Sequence, residues 1–282
     1  MKMFEFKSRL ARRAAATIAL GLLLGAQTAM ACTVGNWNGG TSGAGVLASG
    51  PDGPDGKPAI SRYSGVCAMQ AAESSSEWVQ DNSPGGIERI RARFYLLNDL
   101  AAGQSAQIYR GFSSTTGSGP LFTVTMNDAG QVVLRDNTVV QNVSQSSGSK
   151  WTSVEIDWSQ GSGTGVISLS VNGQSPDVLS TLNNAGSSLQ SIRLGNLNGA
   201  GGSLNFDAYE SRRTTEIGRL CVGDADGSGE RGLGDLQAIF EEFQFGTLAS
   251  GQPDADENGD VGLGDLQTVF EIFQFGTPAC PT

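Results

Sequence analysis

Residues 151–158 have the sequence Trp-Thr-Ser-Val-Glu-Ile-Asp-Trp, and this stretch indicates the class of the fold. Polar and apolar side chains alternate along it, as in a β-strand with one face on a core and the other toward solvent. The predicted inward set is Val154, Ile156 and Trp158, and the predicted outward set is Ser153, Glu155 and Asp157.

Similar runs recur between turn signals along most of the chain. They cover Ile87–Leu97, Leu121–Met126, Gln131–Arg135, Val166–Val171, Ser191–Leu194 and Leu204–Arg212. Asn127–Gly130 and Asn172–Gly173 have the composition of hairpin turns. Because no long helical pattern interrupts the series, residues 32–215 are predicted to form an antiparallel β-sandwich, with irregular coil and one short strand over 32–64.

The order of these runs resembles that of the concanavalin-like, laminin-G-like jelly roll over residues 85–213. The resemblance rests on Leu121–Met126 with the turn and strand that follow, on residues 151–158, on Ile-Ser-Leu-Ser-Val-Asn-Gly at 167–173, and on Phe-Asp-Ala-Tyr-Glu-Ser-Arg-Arg at 206–213. It implies a mainly β fold used for carbohydrate or protein binding and less often for glycoside hydrolysis. Because one fold serves many functions, the resemblance alone assigns none.

One pair of residues in this region is a candidate for catalysis. Glu155 and Asp157 resemble the start of the acidic strand of laminarinase-type glycosidases, in which alternate carboxylates carry out retaining hydrolysis. The third acid of that pattern is missing, since Trp158 is followed by Ser-Gln-Gly. The alternative is the solvated face of an amphipathic strand. Because the chain has no His, a Ser-His-Asp triad and a His-ligated zinc site are excluded.

The sandwich is therefore predicted to be a non-catalytic carbohydrate-binding or adhesion domain, with a glycosidase or lyase acting on extracellular polysaccharide as the alternative. Alternation assigns Phe94 and Trp158 to the core. One basic stripe is interpreted as a solvated strand face: Arg89, Arg91 and Arg93. The candidate platforms for stacking on sugar rings are Trp37, Trp78, Tyr109 and Trp151.

The C-terminal part contains a tandem duplication, because residues 224–247 and 254–277 agree at 17 of 24 positions. The copies begin Asp-Ala-Asp-Gly-Ser-Gly-Glu-Arg-Gly-Leu-Gly-Asp and Asp-Ala-Asp-Glu-Asn-Gly-Asp-Val-Gly-Leu-Gly-Asp. Each has the oxygen ligands of a 12-residue Ca²⁺ loop at positions 1, 3, 5, 7 and 12, with Gly at position 6. Two Ca²⁺ ions are predicted, one held by Asp224, Asp226, Ser228, the Glu230 carbonyl and Asp235, the other by Asp254, Asp256, Asn258, the Asp260 carbonyl and Asp265.

Each loop runs into a helical pattern with one apolar stripe. The stripes are Leu236, Ile239, Phe240 and Phe243 in the first copy and Leu266, Val269, Phe270 and Phe273 in the second. Neither helix can bury its stripe alone, so the two are predicted to pack on each other about a pseudo-twofold axis. Segments 218–223 and 246–253 are too short and too rich in Gly to supply a helix before either loop.

A duplicated loop-helix unit of this kind resembles a dockerin, the calcium-dependent module that joins exported proteins to a cohesin receptor. The resemblance covers residues 221–282 and predicts a small all-α domain at 216–282, with Leu-Gly where cellulosomal dockerins often carry polar pairs. It implies that a cohesin-like partner contacts Leu233, Gly234, Gln237, Leu263, Gly264 and Gln267. Because the copies are identical there, either half is expected to bind. The alternative is a structural calcium-bound tail without a receptor.

The first 31 residues have the pattern of a secretory signal peptide. Basic residues precede an apolar run over 14–26, which is shorter than the roughly 20 residues that span a bilayer, and Ala29–Ala31 fits a cleavage site. Lipidation at Cys32 is the alternative. No later stretch is apolar enough to span a membrane, so we expect a secreted protein, extracellular or associated with the cell surface.

Charge and cysteines fit this expectation. Cys221 and Cys280 bracket the duplicated tail, and Cys32 with Cys67 is the other sequence-local pair, although four cysteines permit three pairings. The chain has a formal charge of −10, and residues 221–282 contain 12 acids and one base. Such a tail argues against a nucleic-acid partner, whose phosphates need Lys and Arg. A solubilising or disordered acidic tail is the alternative interpretation.

Overall fold

The computed structural model describes residues 37–43, 45–48, 62–72, 75–276 and 280. Over these residues the chain forms two antiparallel seven-stranded sheets around a common core, followed by two helices. The prediction of an antiparallel β-sandwich with a small helical C-terminal part is confirmed. The expected signal peptide, Cys32 and most of the expected coil over 32–64 lie outside the described residues.

In chain order the elements are β1 (Thr41–Ser42), β2 (Gly45–Ala48), β3 (Cys67–Ala72), β4 (Glu77–Asp81), β5 (Arg89–Leu100), β6 (Ser105–Phe112), β7 (Pro120–Asn127), β8 (Gln131–Asp136), β9 (Gln141–Ser146), β10 (Trp151–Ser159), β11 (Ser162–Val171), β12 (Asp177–Asn183), β13 (Ser191–Asn196), β14 (Gly202–Arg212), α1 (Leu233–Phe245) and α2 (Leu263–Phe275). The first sheet has the order β1-β4-β13-β6-β7-β8-β9, and the second has the order β12-β11-β10-β5-β14-β3-β2.

The core between the sheets is built from the inward residues of the predicted runs. Val154, Ile156 and Trp158 are at most 1% exposed. The Trp158 indole N–H donates to Asp136 Oδ2 over 3.0 Å, and the same buried oxygen accepts from Asn184 Nδ2 over 2.6 Å. The core therefore satisfies these polar groups internally, as buried polar groups require.

Several strands carry weaker patterns than the predicted runs. In β6 a register shift between Gln107 and Tyr109 interrupts the alternation. In β9 a single apolar residue, Val143, faces the core. These strands are determined by pairing with their neighbours more than by their own sequence, because strand preference depends on context.

After β14 a linker over residues 213–220 leads to the tail, described here over residues 221–276 and 280. α1 and α2 pack together through Ile239 and Val269, which are fully buried. No helix precedes either loop within residues 213–232 and 246–262. Neither α1 nor α2, nor any other helix in the described ranges, is long and apolar enough to cross a membrane.

Candidate functional site

The two duplicated loops each bring three carboxylates together. In each set the ligand oxygens lie within 4.8 Å of one another. The members occupy positions 1, 3 and 12 of the predicted calcium loops. The sets are Asp224, Asp226 and Asp235 in the first loop and Asp254, Asp256 and Asp265 in the second.

Equivalent backbone N–H groups hold the carboxylates in both loops. Gly229 N donates to Asp224 Oδ2 over 3.0 Å, and Gly259 N donates to Asp254 Oδ2 over 2.9 Å. Both glycines stand at loop position 6, with φ of 87° and 98°. Residues with a Cβ rarely adopt this conformation, so glycine allows the turn that points the N–H group at the carboxylate.

Each helix begins inside its loop. Asp235 Oδ2 accepts from Gly232 N over 2.6 Å, and Asp265 Oδ2 accepts from Gly262 N over 2.7 Å. α1 therefore starts at Leu233, three residues before the predicted stripe. The carboxylate at loop position 12 both closes the acidic set and satisfies an N–H group at the helix N-terminus, where negative charge is favourable.

Burial and mutual repulsion make the carboxylate sets unfavourable without a cation. Desolvation, together with the charges of Asp265 and Asp256, raises the pKa of Asp254 to about 8. Desolvation also raises the pKa values of Asp224, Asp235 and Asp265 above their ordinary range. Within the described residues, Asp224 Oδ1 is buried and accepts no hydrogen bond. A buried carboxylate oxygen in this situation needs a cation or a proton.

The donor set of each loop fits a hard divalent cation. Every predicted side-chain ligand is an oxygen, the ligand type of Ca²⁺ and Mg²⁺. Cys221 and Cys280 lie beside Asp224, but they are bonded to each other and their sulfurs are not available as ligands. The residues therefore form two possible metal sites, and Ca²⁺ as the ion stays a prediction.

Calcium is expected to stabilise the tail, because a ligand that binds only the folded state adds about 2.7 kcal/mol at 100 times its Kd. Isothermal titration calorimetry should give two ions per chain, reduced to one by either Asp235→Asn or Asp265→Asn. Glu230→Gln is the matched control, since position 7 contributes only its carbonyl. Two ions bound by the Asp265→Asn variant would contradict the assignment.

A disulfide joins the two ends of the tail. Cys221 and Cys280 are 59 residues apart in the sequence and bonded, with their Cα atoms 5.3 Å apart. Cys280 N also donates to the Gly229 carbonyl over 3.3 Å. Both loops and both helices lie inside this covalently closed segment. Cys32 lies outside the described residues, so its pairing with Cys67 stays a prediction.

The second loop packs against the outer face of the second sheet. Glu257, at loop position 4, accepts a hydrogen bond from the Tyr63 hydroxyl over 2.7 Å and forms an ion pair with Arg219. Its backbone carbonyl accepts from Trp151 N over 3.4 Å. The first loop has Gly227 at the same position, which offers no such side chain. The contact therefore belongs to one half of the duplication only.

A second contact to the sandwich is also made by one copy of the duplication only. Glu242 of α1 forms an ion pair with Arg62, and both side chains are at most 12% exposed. The equivalent residue of α2 is Ile272. Two of the seven positions at which the halves differ thus contact residues 62–63 or the linker to the tail. These differences fix the tail in one of its two nearly equivalent orientations.

Tyr63 fills the space between the sandwich and the second loop. It is fully buried, and its ring stacks on Tyr95 with centroids 3.6 Å apart and meets Trp151 at 5.5 Å. Its backbone N donates to Asp207 Oδ2 over 2.7 Å. The residues Tyr63, Tyr95, Leu97 and Trp151, here called the outer cluster, form a separate apolar core between sheet and tail.

Glu257→Gln is expected to lower the free energy of unfolding by about 1–3 kcal/mol, because it leaves Arg219 without its charged partner and weakens the acceptor of a buried hydroxyl. Glu271→Gln is the matched control: this exposed α2 residue accepts a hydrogen bond from Gln267, and we expect a change within about 0.5 kcal/mol. Urea unfolding in saturating calcium measures both. Equal losses would contradict the proposed importance of Glu257.

The prediction that Trp151 and Tyr109 are exposed sugar platforms is wrong. Both are 0% exposed. Trp151 lies against Tyr63 in the outer cluster, and Tyr109 faces the core with its hydroxyl 3.2 Å from that of Tyr209. Alternation along one strand shows which side a residue faces, but it cannot show that a further layer covers that side.

The other two aromatic candidates are partly covered. Trp37 packs against Tyr209 with ring centroids 5.1 Å apart. The guanidinium of Arg193 lies 3.8 Å from the centre of the Trp78 ring. Neither residue is fully buried, but each already has a packing partner within the sandwich.

Glu155 points outward from β10 as predicted, but it faces the linker to the tail. Its two carboxylate oxygens accept hydrogen bonds from Ile217 N and Gly218 N, both over 2.9 Å. Asp157, two residues further, forms ion pairs with two arginines of β5. Glu155 therefore holds the chain between β14 and the tail, and Asp157 is engaged by arginines of its neighbouring strand.

The basic stripe of β5 is also less solvated than predicted. Arg91 lies 3.0 Å from Asp157, and its side chain is 14% exposed. Arg93 is 6% exposed and donates to the Gly218 carbonyl over 3.0 Å. The expectation of a solvated face is wrong for these two residues, because the linker to the tail covers them.

The outer face of the first sheet is not covered by the tail and carries a row of polar side chains. Strand register places one residue from each of six neighbouring strands opposite the next. From β4 to β9 this polar row consists of Gln80, Arg193, Arg110, Thr123, Arg135 and Asn142. A depression of about 300 Å³ lies over the last four of these residues.

Sequence reasoning missed the polar row because its members lie on six separate strands, one residue from each, and β4 and β13 are far from the other four in the chain. The outward direction of Arg135 was accessible, since Val132 and Leu134 of the same run face the core. Its position opposite Thr123 depends on the pairing of β8 with β7. The register of that pairing is a property of the two strands together, which the pattern of one strand does not specify.

No family model and no curated protein matches the chain. Among solved structures it is similar to the cellulose induced protein Cip1, with 12% identity and a TM-score of 0.44 over 63% of this chain and 89% of that one. It is also similar to alginate lyase AlyC3 in complex with dimannuronate, with 11% identity and a TM-score of 0.35 over 52% of this chain and 76% of that one. A third similar structure is the CBM40 of the Ruminococcus gnavus IT-sialidase, with 13% identity and a TM-score of 0.34 over 52% of this chain and 93% of that one. These similarities concern the fold of the sandwich alone.

Proposed function

We propose that this chain is an exported, non-catalytic carbohydrate-binding or adhesion protein, attached to a cohesin-type partner through a calcium-dependent, dockerin-like tail. The observation that carries the proposal is an exposed apolar surface repeated in both halves of the tail. Leu233 and Leu263, the first residues of the helices, are 69% and 68% exposed. The Cys221–Cys280 disulfide supports export, since such bonds persist in oxidising compartments.

The tail exposes more apolar side chains than the helical stripes led us to expect. The helices bury Ile239 and Val269 on each other, but the phenylalanines of the stripes remain at least 41% exposed. Exposed apolar patches on a folded protein mark sites of association. The exposed set consists of Leu233, Phe240, Phe243 and Phe245 in the first half and Leu263, Phe270, Phe273 and Phe275 in the second.

Gly234 and Gly264 support this surface from behind. A Cβ at either position would overlap with the carboxylate of Asp226 or Asp256. Glycine therefore lets the first turn of each helix lie against its loop. Because those carboxylates are predicted calcium ligands, calcium would fix the helix start and with it the exposed leucine. This gives a physical reason for Leu-Gly at loop positions 10 and 11.

Packing on the sandwich leaves both halves accessible to a partner. The tail contacts residues 62–63 and the linker through Glu242 and Glu257, whereas Leu233 and Leu263 stay equally exposed. Gln237 and Gln267 are also exposed and make equivalent hydrogen bonds, to Glu241 over 2.8 Å and to Glu271 over 2.9 Å. Either half can therefore present the same surface, in orientations related by a half-turn.

Leu233→Asp and Leu263→Asp are each expected to weaken binding to a cohesin-type partner only about twofold, because one of two equivalent sites remains. The double variant is expected to lose binding by 100-fold or more, since a buried charge in an apolar interface costs on the order of several kcal/mol. Titration in calcium, with the single variants as controls for each other, measures this. An unaffected double variant would leave the tail as a structural calcium-bound unit without a receptor.

The sandwich is proposed to bind its ligand on the outer face of the first sheet. The polar row offers the exposed Asn142 amide and the Arg135 guanidinium, which suit hydrogen bonding to sugars, whereas Gln80 and Thr123 are at most 6% exposed and accept hydrogen bonds from arginines of the row. It contains no carboxylate, tyrosine or histidine that could act as a general acid or base. The alternative of a glycosidase or lyase relies on Glu155 and Asp157, and both already have partners in the protein.

On a glycan array the full chain is expected to bind polysaccharide without releasing reducing sugar or unsaturated products. Glu155→Gln should leave glycan binding unchanged, because the residue lies on the second sheet. The assay pairs array binding with product detection after prolonged incubation. Product release that disappears in the Glu155→Gln variant would establish the enzyme alternative.

A further inference from the structure

We propose that the polysaccharide bound by the first sheet is anionic and carries carboxylates, as polyuronates do. This inference rests on the proposed carbohydrate-binding function and names the class of its ligand. It is drawn from three arginines of the polar row, Arg110, Arg135 and Arg193. Within the described part of the chain, none of the three forms an ion pair.

The second sheet neutralises its arginines, and the first sheet does not. On β5 and β14 each of four arginines lies within 3.2 Å of a carboxylate: Arg89, Arg91, Arg93 and Arg212. No described carboxylate is placed in this way beside the polar row. Among the described residues, the positive charge on the first sheet therefore has no carboxylate partner, and we infer that a ligand supplies one.

Two of the arginines repel each other directly. Arg193 on β13 lies opposite Arg110 on β6, and like charges in this arrangement destabilise a sheet. Desolvation lowers the pKa of Arg110, and desolvation together with the Arg110 charge lowers the pKa of Arg193. The depression is lined by Arg110 and not by Arg193, whose guanidinium lies between Trp78 and Gly117. An anion bound beside Arg110 would offset the repulsion between the two arginines.

Polar neighbours hold both guanidinium groups and leave donors free. Arg193 Nε donates to Gln80 Oε1 over 2.7 Å, and its guanidinium lies over the Trp78 ring. Arg110 Nε donates to Thr123 Oγ1 over 3.2 Å. No described residue accepts a hydrogen bond from Nη1 of either arginine. Preoriented guanidinium groups with free N–H donors suit bidentate binding of a carboxylate.

Arg135 extends the site along the row. It is exposed, and it lies opposite Thr123, which in turn lies opposite Arg110. Neighbouring strands are about 4.8 Å apart, so the row from β4 to β9 spans about 24 Å. Positive charge distributed over this length suits an extended chain of anionic units better than a single small anion.

Polyuronate is favoured over nucleic acid because the row has no open aromatic surface. Sites for single-stranded nucleic acid combine a basic groove with aromatic side chains on which bases stack. Near the row, Trp78 is covered by Arg193, and Phe112 is 2% exposed.

The test compares ligands that share a sugar backbone and differ in charge. Oligomers of galacturonate, mannuronate and glucuronate, each as free acid and as methyl ester, are titrated into the full chain by calorimetry. At least one free acid is expected to bind ten times more tightly than its ester, with an affinity that falls as salt increases.

Substitutions of the arginines test the location of the site. Arg110→Gln and Arg135→Gln are each expected to weaken binding of the free acid about tenfold, the effect of one charge-assisted hydrogen bond. Arg212→Gln is the matched control, since it removes a charge from the second sheet. It should leave binding unchanged.

Thermal unfolding without ligand separates a binding role from a structural one. Because Arg110 faces Arg193, Arg110→Gln is expected to unfold at the same temperature as the native chain or higher. A fall in the midpoint would indicate that Arg110 serves the fold. The free acid should raise the midpoint of the native chain and not that of the Arg110→Gln/Arg135→Gln double variant.

The outcomes separate this inference from the function on which it rests. Equal binding of acids and esters, unaltered by the arginine substitutions, overturns the anionic ligand and keeps carbohydrate binding. No binding to any polysaccharide on the array overturns both. Tighter binding of an oligonucleotide, with the same dependence on Arg110 and Arg135, replaces polysaccharide with nucleic acid.

Discussion

The side chain of Tyr63 joins the two parts of the molecule, and the position of the tail depends on it. Its ring completes the outer cluster against Tyr95 and Trp151, and its hydroxyl donates to Glu257 in the second loop. Burial, with the neighbouring Tyr95 and Glu257, raises the pKa of this hydroxyl well above its ordinary value, so it remains a donor. A residue just before β3 thereby makes the second loop part of the packing of the second sheet.

Because of this contact, the outer faces of the two sheets differ in what covers them. The second sheet gives its outer face to the linker and the second loop, and its outward carboxylates and arginines pair with one another or with the linker backbone. The outer face of the first sheet carries three arginines that form no ion pair with any residue in the described ranges. A ligand on the first sheet and a partner on the tail would therefore occupy separate surfaces, and both could be bound at the same time.

The parts of this structure that were predictable from sequence are the local ones. The alternation over residues 151–158 determines β10 and the direction of its side chains, because a strand with one buried face places every second residue inward. The grouping of three aspartates in each duplicated loop was predictable, since the three lie within 12 positions of one another. Burial of Trp151 was not predictable, because Tyr63 reaches it from 88 residues earlier in the chain. The Arg193–Arg110 pair was hidden for the same reason.

The disulfide between Cys221 and Cys280 has a mechanical consequence. Tension between a ligand held by the sandwich and a partner held by the tail would enter the tail at its exposed helix surfaces and leave it at Cys221. Because the bond joins the two ends of the tail, the loops and helices between Cys221 and Cys280 cannot be pulled into one fully extended chain. The remaining path is the short linker, which is fastened to the second sheet where Leu220 N donates to the Tyr95 hydroxyl over 2.8 Å. The disulfide thus limits how far the tail can lengthen under load.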